Sequence, residues 1–284
     1  VCKATETCPE HGYLYPKEVV DGHCSRCGVQ VTEGNIVKMS KSKKNVVDPQ
    51  ELIDRYGADT VRMFCLFASP PDKDLEWSEQ GVDGSYRFLQ RVWRLVVDHL
   101  EEVKNVTAWD GKSDLPEPVK SVHRKTHETI KKVTSDVENR FHFNTAISAV
   151  MELVNETNQF LNGDGKKDST AWSVVRKSIE TTVILLSPVV PHIADELWQM
   201  MGHEGFLLDV PWPDYSEEAL KTEKKLIILQ VNGKVRSRIE VATSSSEKEI
   251  EALALADEKV QRHMKGKSPK RVIVVQKKLV NVVI

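Results

Sequence analysis

Four of the chain's five cysteines, Cys2, Cys8, Cys24 and Cys27, fall within the first 27 residues, and the fifth is Cys65. Crowding of this kind argues for metal ligation in a reducing, cytoplasmic compartment rather than for disulfides. Cys8-Pro9-Glu10-His11 and Cys24-Ser25-Arg26-Cys27 each place two ligand residues on one tight turn, and 12 residues separate the pairs. Two such turns close a tetrahedron, so a Cys3His zinc site at Cys8, His11, Cys24 and Cys27 is expected. Residues 1–37 are turn-rich and have little core, so bound Zn2+ would supply the folding energy of a zinc-ribbon-like segment. Gly28 suits the turn after the second pair. On spacing alone Cys2 or His23 can substitute for a ligand, and free cysteines at a chance spacing are the plainer reading.

Directly after this segment comes Lys38-Met39-Ser40-Lys41-Ser42, then Lys43, Lys44 and Asn45. Two lysines three apart, separated by one apolar and one hydroxylic residue, predict a mobile basic loop. Asp48 suits an N-cap, Pro49 the first helical position and Glu51 the reciprocal place in a capping box, so the loop ends at a helix start. Ammonium groups on such a loop can swing onto a polyphosphate and offset charge that grows in phosphoryl transfer. A solvated lysine run is the alternative.

The next stretch predicts helices at about 49–55 and 59–67. In the second, Val61, Phe64, Cys65 and Leu66 suggest a buried face, which makes Cys65 a core thiol. Residues 78–220 read as helical. Ser78 caps a helix to about Glu102, with Phe88, Leu89, Val92, Trp93 and Val96 on one face. Arg87, Arg91 and Arg94 recur on a neighbouring face, as an RNA-backbone contact or a solvated polar stripe. Further helices are expected at about 119–138, 143–161 and 170–186, with loops at 105–117 and 162–169. Pro188 and Pro191 precede one more helix, to about Met201. His192 reads as a core or capping histidine, and Trp212 as a packing plug where the bundle ends.

From residue 224 the apolar period changes to two. Leu226–Val231 and Val235–Val241 predict strands joined by an Asn232-Gly233 hairpin turn. A helix from Ser244–Ser246 to about His263 follows, then strands at 272–276 and 279–284 around Lys277-Lys278. The result is a small β-β-α-β-β domain. Residues 221–284 hold 15 Lys and Arg against 7 Asp and Glu, while the whole chain has a net charge of −2. A basic tail on an acidic body is what phosphate-backbone binding requires. Alternation along the strand sets Lys234, Arg236 and Arg238 on one face. Lys265, Lys267, Lys270 and Arg271 form a second basic group at the helix exit. A solubilising rim is the other reading. No run of 18 apolar residues occurs, so a membrane span is not expected.

The lysine loop resembles the second signature of class I aminoacyl-tRNA synthetases. The text after it narrows the resemblance: Asn45-Val46-Val47-Asp48-Pro49, Tyr56-Gly57-Ala58-Asp59-Thr60-Val61-Arg62, Phe67-Ala68-Ser69-Pro70-Pro71 and Leu75-Glu76-Trp77-Ser78. Gly81-Val82-Asp83-Gly84, Arg87-Phe88-Leu89 and Arg91-Val92-Trp93 continue it. This run is more similar to bacterial leucyl-tRNA synthetases than to the valyl, isoleucyl or methionyl enzymes, and a looser similarity reaches the C-terminus. A metal knuckle directly before the lysine loop departs from that family's commonest pattern.

The resemblance implies a mainly α chain with α/β parts. Its pieces are the zinc-ribbon-like segment (1–37), the Lys-Met-Ser-Lys-Ser (KMSKS) loop and linker helices ending the catalytic core (38–76), an anticodon-binding-type α-helical bundle (77–220) and a C-terminal tRNA-binding domain (221–284). It implies ATP with Mg2+ at Lys38, Met39, Ser40, Lys41 and Ser42. Lys41 and Lys38 would stabilise charge as pyrophosphate leaves, and Met39 would anchor the loop in an apolar pocket. It implies leucine and tRNA(Leu) as partners, with the C-terminal domain at the tRNA elbow. No His-Ile-Gly-His-type sequence occurs, and the chain opens with Val1. A portion inactive alone is therefore expected, paired with an N-terminal catalytic and editing part in the same chain or in a separate subunit. A non-catalytic, zinc-containing tRNA-binding module and a valyl-tRNA synthetase portion are the alternatives.

Overall fold

Asp48, Ser78, Asp168, Ser246 and Asp257 each accept a backbone N–H of the helix they open. Short acceptors in these positions satisfy donors that a helix start would otherwise leave bare. The structure is a computed structural model that describes residues 1–284 apart from 108, 110, 112, 113, 165, 166, 222, 223 and 277, with the backbone alone at 224. The loops expected at 105–117 and 162–169 and the turn at Lys277-Lys278 lie partly outside the described residues. The chain divides into two compact units, Val1–Ala219 and Leu220–Ile284.

The first unit begins with β1 (Cys2–Cys8), β2 (Gly12–Leu14), β3 (Val19–Val20), β4 (His23–Cys24) and β5 (Thr32–Lys38). β1 is the middle strand of an antiparallel β2-β1-β5 sheet, and β3 pairs with β4. The β1–β5 register shifts between Ala4 and Glu6, and a side chain at Gly34 would run into Thr5 Oγ1 there. Lys38 pairs with Cys2, so the first lysine of the basic run closes a strand rather than opening a loop.

Eight α-helices follow among the described residues: α1 (Pro49–Tyr56), α2 (Ala58–Phe67), α3 (Glu79–Val97), α4 (Leu100–Lys104), α5 (Glu117–Arg140), α6 (Phe143–Asn162), α7 (Ser169–Leu186) and α8 (Pro191–Met200). Phe88, Leu89, Val92, Leu95 and Val96 of α3 enter one core with α5, α6, α7 and α8. The helix expected to reach Glu102 instead stops at Val97 and restarts at Leu100. Arg176 of α7 gathers the carbonyls of Val103, Lys104 and Val106 at 3.3, 3.4 and 3.1 Å, which draws that last turn toward α7. α7 is buried along most of its length, and its Ser178 Oγ meets Thr157 Oγ1 of α6 at 2.7 Å inside the bundle. These two buried hydroxyls thus partner one another, as groups in a dry core do.

Two readings of this region are corrected. Cys65 is exposed, because α2 buries Asp59, Thr60, Met63 and Phe64, and residue 65 falls beside that row. His192 is neither core nor cap. It is exposed in the first turn of α8, where Asp59 of α2 does the capping, accepting from the Ile193 N–H at 2.7 Å and from His192 Nδ1 at 2.8 Å. Trp212 donates to Thr134 Oγ1 at 2.8 Å and closes an apolar crevice lined by Leu66, Val133, Ile147 and Leu186.

The second unit comprises β6 (Lys224–Val231), β7 (Lys234–Ala242), α9 (Glu247–Ala256), α10 (Glu258–Met264), β8 (Arg271–Val275) and β9 (Leu279–Val283). The strand order is β7-β6-β9-β8, with β6 and β9 parallel. Ile227, Leu229, Val231, Val280 and Val282 face Ile250, Val260 and Met264. One expected helix is two here. Asp257 stays extended, accepts from the Val260 N–H at 2.9 Å and receives Ser237 Oγ at 2.8 Å, so it caps a new helix.

The corner between α5 and α6 rests on Asp136. Phe141 turns the chain at φ +51°, and the His142 N–H returns to the Asp136 carbonyl at 3.0 Å. The Asp136 carboxylate is 1% exposed and accepts from Thr145 Oγ1 at 2.6 Å and from Lys132 Nζ at 2.6 Å. Burial pushes its carboxyl up, but the Lys132 ammonium and the Thr145 hydroxyl outweigh burial and hold it below its ordinary value of 3.8. A carboxylate lowered on folding contributes stability above its unfolded pKa and loses it as pH falls through the folded one. Asp136→Asn should therefore cost about 2 kcal/mol at neutral pH, with the deficit shrinking toward about pH 3. Denaturant unfolding at both pH values checks this, and an undiminished deficit in acid would contradict it.

Candidate functional site

The β1–β2 hairpin brings Cys8 and His11 to one side of a gap, and the turn after β4 brings Cys24 and Cys27 to the other. Cys8 Sγ lies 3.5 Å from Cys27 Sγ and 3.7 Å from His11 Nδ1, and Cys24 Sγ lies 3.8 Å from His11 Nδ1. All four ligand atoms fall within 4.8 Å of one another. Zn–S bonds of about 2.3 Å and Zn–N bonds of about 2.0 Å in a tetrahedron give edges of about 3.5–3.8 Å, so this donor set fits a zinc ion. The Arg26 amide points at the Cys24 sulfur and pulls its thiol below the ordinary range, which favours the ligating thiolate. Cys2 lies in β1 paired with Lys38, and His23 Nδ1 sits 2.8 Å from the Asp21 carbonyl. Neither joins the cluster.

The lysine loop is pinned at both ends. Asn45 is 2% exposed. Its amide donates to the carbonyls of Lys3 at 3.0 Å and Val37 at 3.2 Å, and its Oδ1 accepts the Ser40 N–H at 2.9 Å. One side chain thus ties β1, β5 and the loop together. Ser40 Oγ meets Ser42 Oγ at 3.0 Å and accepts the Lys43 N–H at 3.2 Å. Lys44 closes the turn at φ +52°, its N–H reaching the Lys41 carbonyl at 3.3 Å. Asp48 then caps α1 by accepting the Gln50 N–H at 2.9 Å. Lys38 and Lys41 are exposed and Met39 is half-buried. Lys41 lines a cleft of ≈ 710 Å³ with Tyr15, Lys17, Asp48, Pro49 and Arg55.

Sequence reasoning passed over Glu18. It ends a single 3-10 turn, Pro16–Glu18, where no hydrophobic period marks it. Its carboxylate accepts the Tyr15 N–H at 2.9 Å, pairs with Arg26 and lies 3.4 Å from Lys44 Nζ. The Tyr15 N–H first, then Arg26 and Lys44, hold its carboxyl down at about 2. Asn45 was equally hidden, since a polar residue after a lysine run carries no burial signal.

The arginines of α3 are all exposed, and each is engaged within the bundle: Arg87 with Asp83, Arg91 with Asn155 Oδ1 at 3.2 Å, and Arg94 with the Gln90 carbonyl at 3.3 Å. In the second unit the single face expected for Lys234, Arg236 and Arg238 does not form. The β6–β7 register shifts between Leu229 and Gln230, leaving Arg236 as the unpaired residue of a bulge. Lys234 pairs with the buried Val231 and so belongs to the helix side, whereas Arg238 pairs with Ile228 on the other face. Arg236 is half-buried, and its Nε has no partner among the described residues. Lys234, Val231, Val282 and Val272 form one row across the sheet, which puts Lys234 and Arg271 at the same end. Lys265, Lys267 and Lys270 are exposed between α10 and β8.

Residues 27–78 match the family model for class I tRNA synthetases of the I, L, M and V group, and residues 120–252 match that for the anticodon-binding domain of tRNA ligases. The leucine–tRNA ligase of Syntrophus aciditrophicus (strain SB) is 54% identical over 285 residues, which cover 100% of this chain and 33% of the relative. That of Desulfatibacillum aliphaticivorans is 51% identical over 289 residues, with the same shares. The crystal structure of the Agrobacterium radiobacter K84 agnB2 LeuRS–tRNA–LeuAMS ternary complex superposes with a TM-score of 0.71 at 30% identity, covering 87% of this chain and 31% of that one. These matches do not favour the valyl or accessory-module alternatives. The chain belongs to the leucine–tRNA ligase family, as a C-terminal portion spanning about a third of the length of the relatives it matches.

Proposed function

We propose that this chain serves an ATP-dependent leucine–tRNA ligase, supplying the loop that meets ATP and the domains that meet tRNA(Leu). The observation that carries the reading is the placement of Lys41. Its side chain is exposed, lines the cleft at the start of α1 and makes no ion pair among the described residues, while Asn45 fixes the loop that presents it. A pinned loop with an uncommitted ammonium is suited to a polyphosphate whose charge grows as pyrophosphate leaves. Lys38, at the end of β5, is the second cation. Ser40 and Ser42 shape the loop, and Met39 anchors it. ATP would arrive with Mg2+. Leucine and the rest of the adenylate pocket belong to the N-terminal catalytic and editing portion, which is the partner this chain requires. Such an enzyme works in the cytoplasm, and among the described residues no helix is long and apolar enough to cross a membrane. In the complete enzyme, Lys41→Ala should lower leucine-dependent ATP–pyrophosphate exchange by about two to three orders of magnitude. An unchanged rate would remove Lys41 from the mechanism.

Residues 1–37 act as a structural zinc ribbon, with Cys8, His11, Cys24 and Cys27 holding the ion. The ion would supply folding energy and no chemistry, since all four positions of a tetrahedron are taken. Elemental analysis of metal-replete protein should find one zinc per chain, and Cys24→Ser should remove it. Protein without zinc, or full stoichiometry in that variant, would refute the assignment.

Residues 38–76 end the catalytic core, 77–220 form the anticodon-type bundle, and 221–284 bind tRNA. Support for the last comes from Lys234, Lys270 and Arg271 at one end of the sheet, with Arg238 on its open face. Arg87, Arg91 and Arg94 offer a second, weaker contact. Affinity carried by such charges falls with salt. Deleting residues 224–284 from the complete enzyme should weaken tRNA binding and flatten its salt dependence while leucyl-adenylate formation stays near normal. Full affinity with the same salt slope would make the tail structural.

A further inference from the structure

We propose that Glu18 is a positioning residue that couples the metal knuckle to the lysine loop through Lys44. The proposal rests on the reading that Lys41 acts on the nucleotide. Glu18 stands between two turns that, among the described residues, share no other side-chain hydrogen bond or ion pair. On one side is Arg26, which lies within the knuckle directly before Cys27. On the other is Lys44, 3.4 Å away and stacked 5.3 Å above the Tyr15 ring. The carboxylate is itself held by the Tyr15 N–H, so it is a fixed post rather than a free side chain.

Lys44 is the hinge of the loop. Its left-handed backbone and its N–H to the Lys41 carbonyl close the turn that carries Lys41. Asn45 fixes the backbone on the far side of that hinge but bonds only to Ser40 within the loop. Rotation of the 41–44 turn about these two pins is restrained by the Lys44 ammonium, and Glu18 is what it is tethered to. Tyr15 and Lys17 line the same cleft as Lys41, so the turn that presents Glu18 is also one wall of that cleft. The knuckle then does more than fold itself: it fixes where the wall stands relative to the loop.

The test is made in the complete enzyme. Glu18→Gln retains an acceptor for the Tyr15 N–H but drops the charge. It should raise the KM for ATP in pyrophosphate exchange about fivefold, the scale of one partly exposed ion pair, with the KM for leucine and the zinc content unchanged. Lys44→Met should match it, the double variant should be no worse than either single one, and Lys44→Arg should restore most of the loss. Hydrogen exchange at the Lys43 and Lys44 amides should quicken in Glu18→Gln. An unchanged KM for ATP, additive losses in the double variant, or loss of zinc alongside activity would each overturn the proposal. Lys41→Ala, run in parallel, separates the two readings. If it is impaired while Glu18→Gln behaves as wild type, only the coupling fails. If Lys41→Ala is unaffected, the loop's role fails and the coupling with it.

Discussion

A segment with almost no apolar core has to be closed by something else. In residues 1–38 the buried cluster amounts to Cys8, Leu14 and Cys24, with Val19, Cys27, Val29 and Val31 packed against it. Burial on that scale cannot offset the chain entropy of nearly forty ordered residues. Directed polar contacts do the closing instead: the gathered Cys8, His11, Cys24 and Cys27 side chains, the Glu18 carboxylate with its donors, and the Asn45 amide across β1, β5 and the loop. Each is geometrically demanding, so each fixes position as well as energy. The lysine loop inherits that rigidity because it leaves directly from β5.

The helical unit solves the opposite problem. Apolar residues are plentiful there, and α7 is buried along most of its length, so what needs care is the polar remainder. Ser178 and Thr157 satisfy one another, Arg176 collects the carbonyls where α4 ends, and Asp59 caps α8 from α2. Arg62 does similar work at the other end of α7, donating to the carbonyls of Pro188 and Val189 at 3.1 and 3.0 Å. α2 is thereby joined to the helices that follow it by two polar contacts more than 120 residues apart in sequence. The elements that lead from the lysine loop are in this way continuous with the bundle.

In the C-terminal unit a single extra residue changes the meaning of a pattern. Alternation is a sound guide to faces only while the ladder stays in step. The bulge at Arg236 puts Lys234 and Arg238 on opposite sides, and what Lys234 shares with Lys270 and Arg271 is an end of the sheet rather than a face. Charge delivered from an end can still meet a phosphate backbone, because that interaction is long-ranged and tolerant of direction.

Local chemistry was enough to determine several things from the sequence alone. Ligand spacing at Cys8, His11, Cys24 and Cys27, caps at Asp48, Ser78 and Ser246, helical and strand periods, the Asn232-Gly233 turn and the similarity of residues 38–93 to leucyl-tRNA synthetases are all written within short windows. Fold class and family followed from these. Only the tertiary structure decided which face of α2 is inside, leaving Cys65 exposed, where α3 stops and α4 begins, and where Asp257 restarts a helix. It alone sets Glu18 beside Lys44 and lays the Asn45 amide across β1, β5 and the loop. In each case the deciding partner lies far along the chain, 26 residues for Glu18 and Lys44 and 42 for Lys3 and Asn45. A polar side chain carries no sequence mark of whom it will meet, because its bonding depends on where the fold brings a donor and not on its own neighbours.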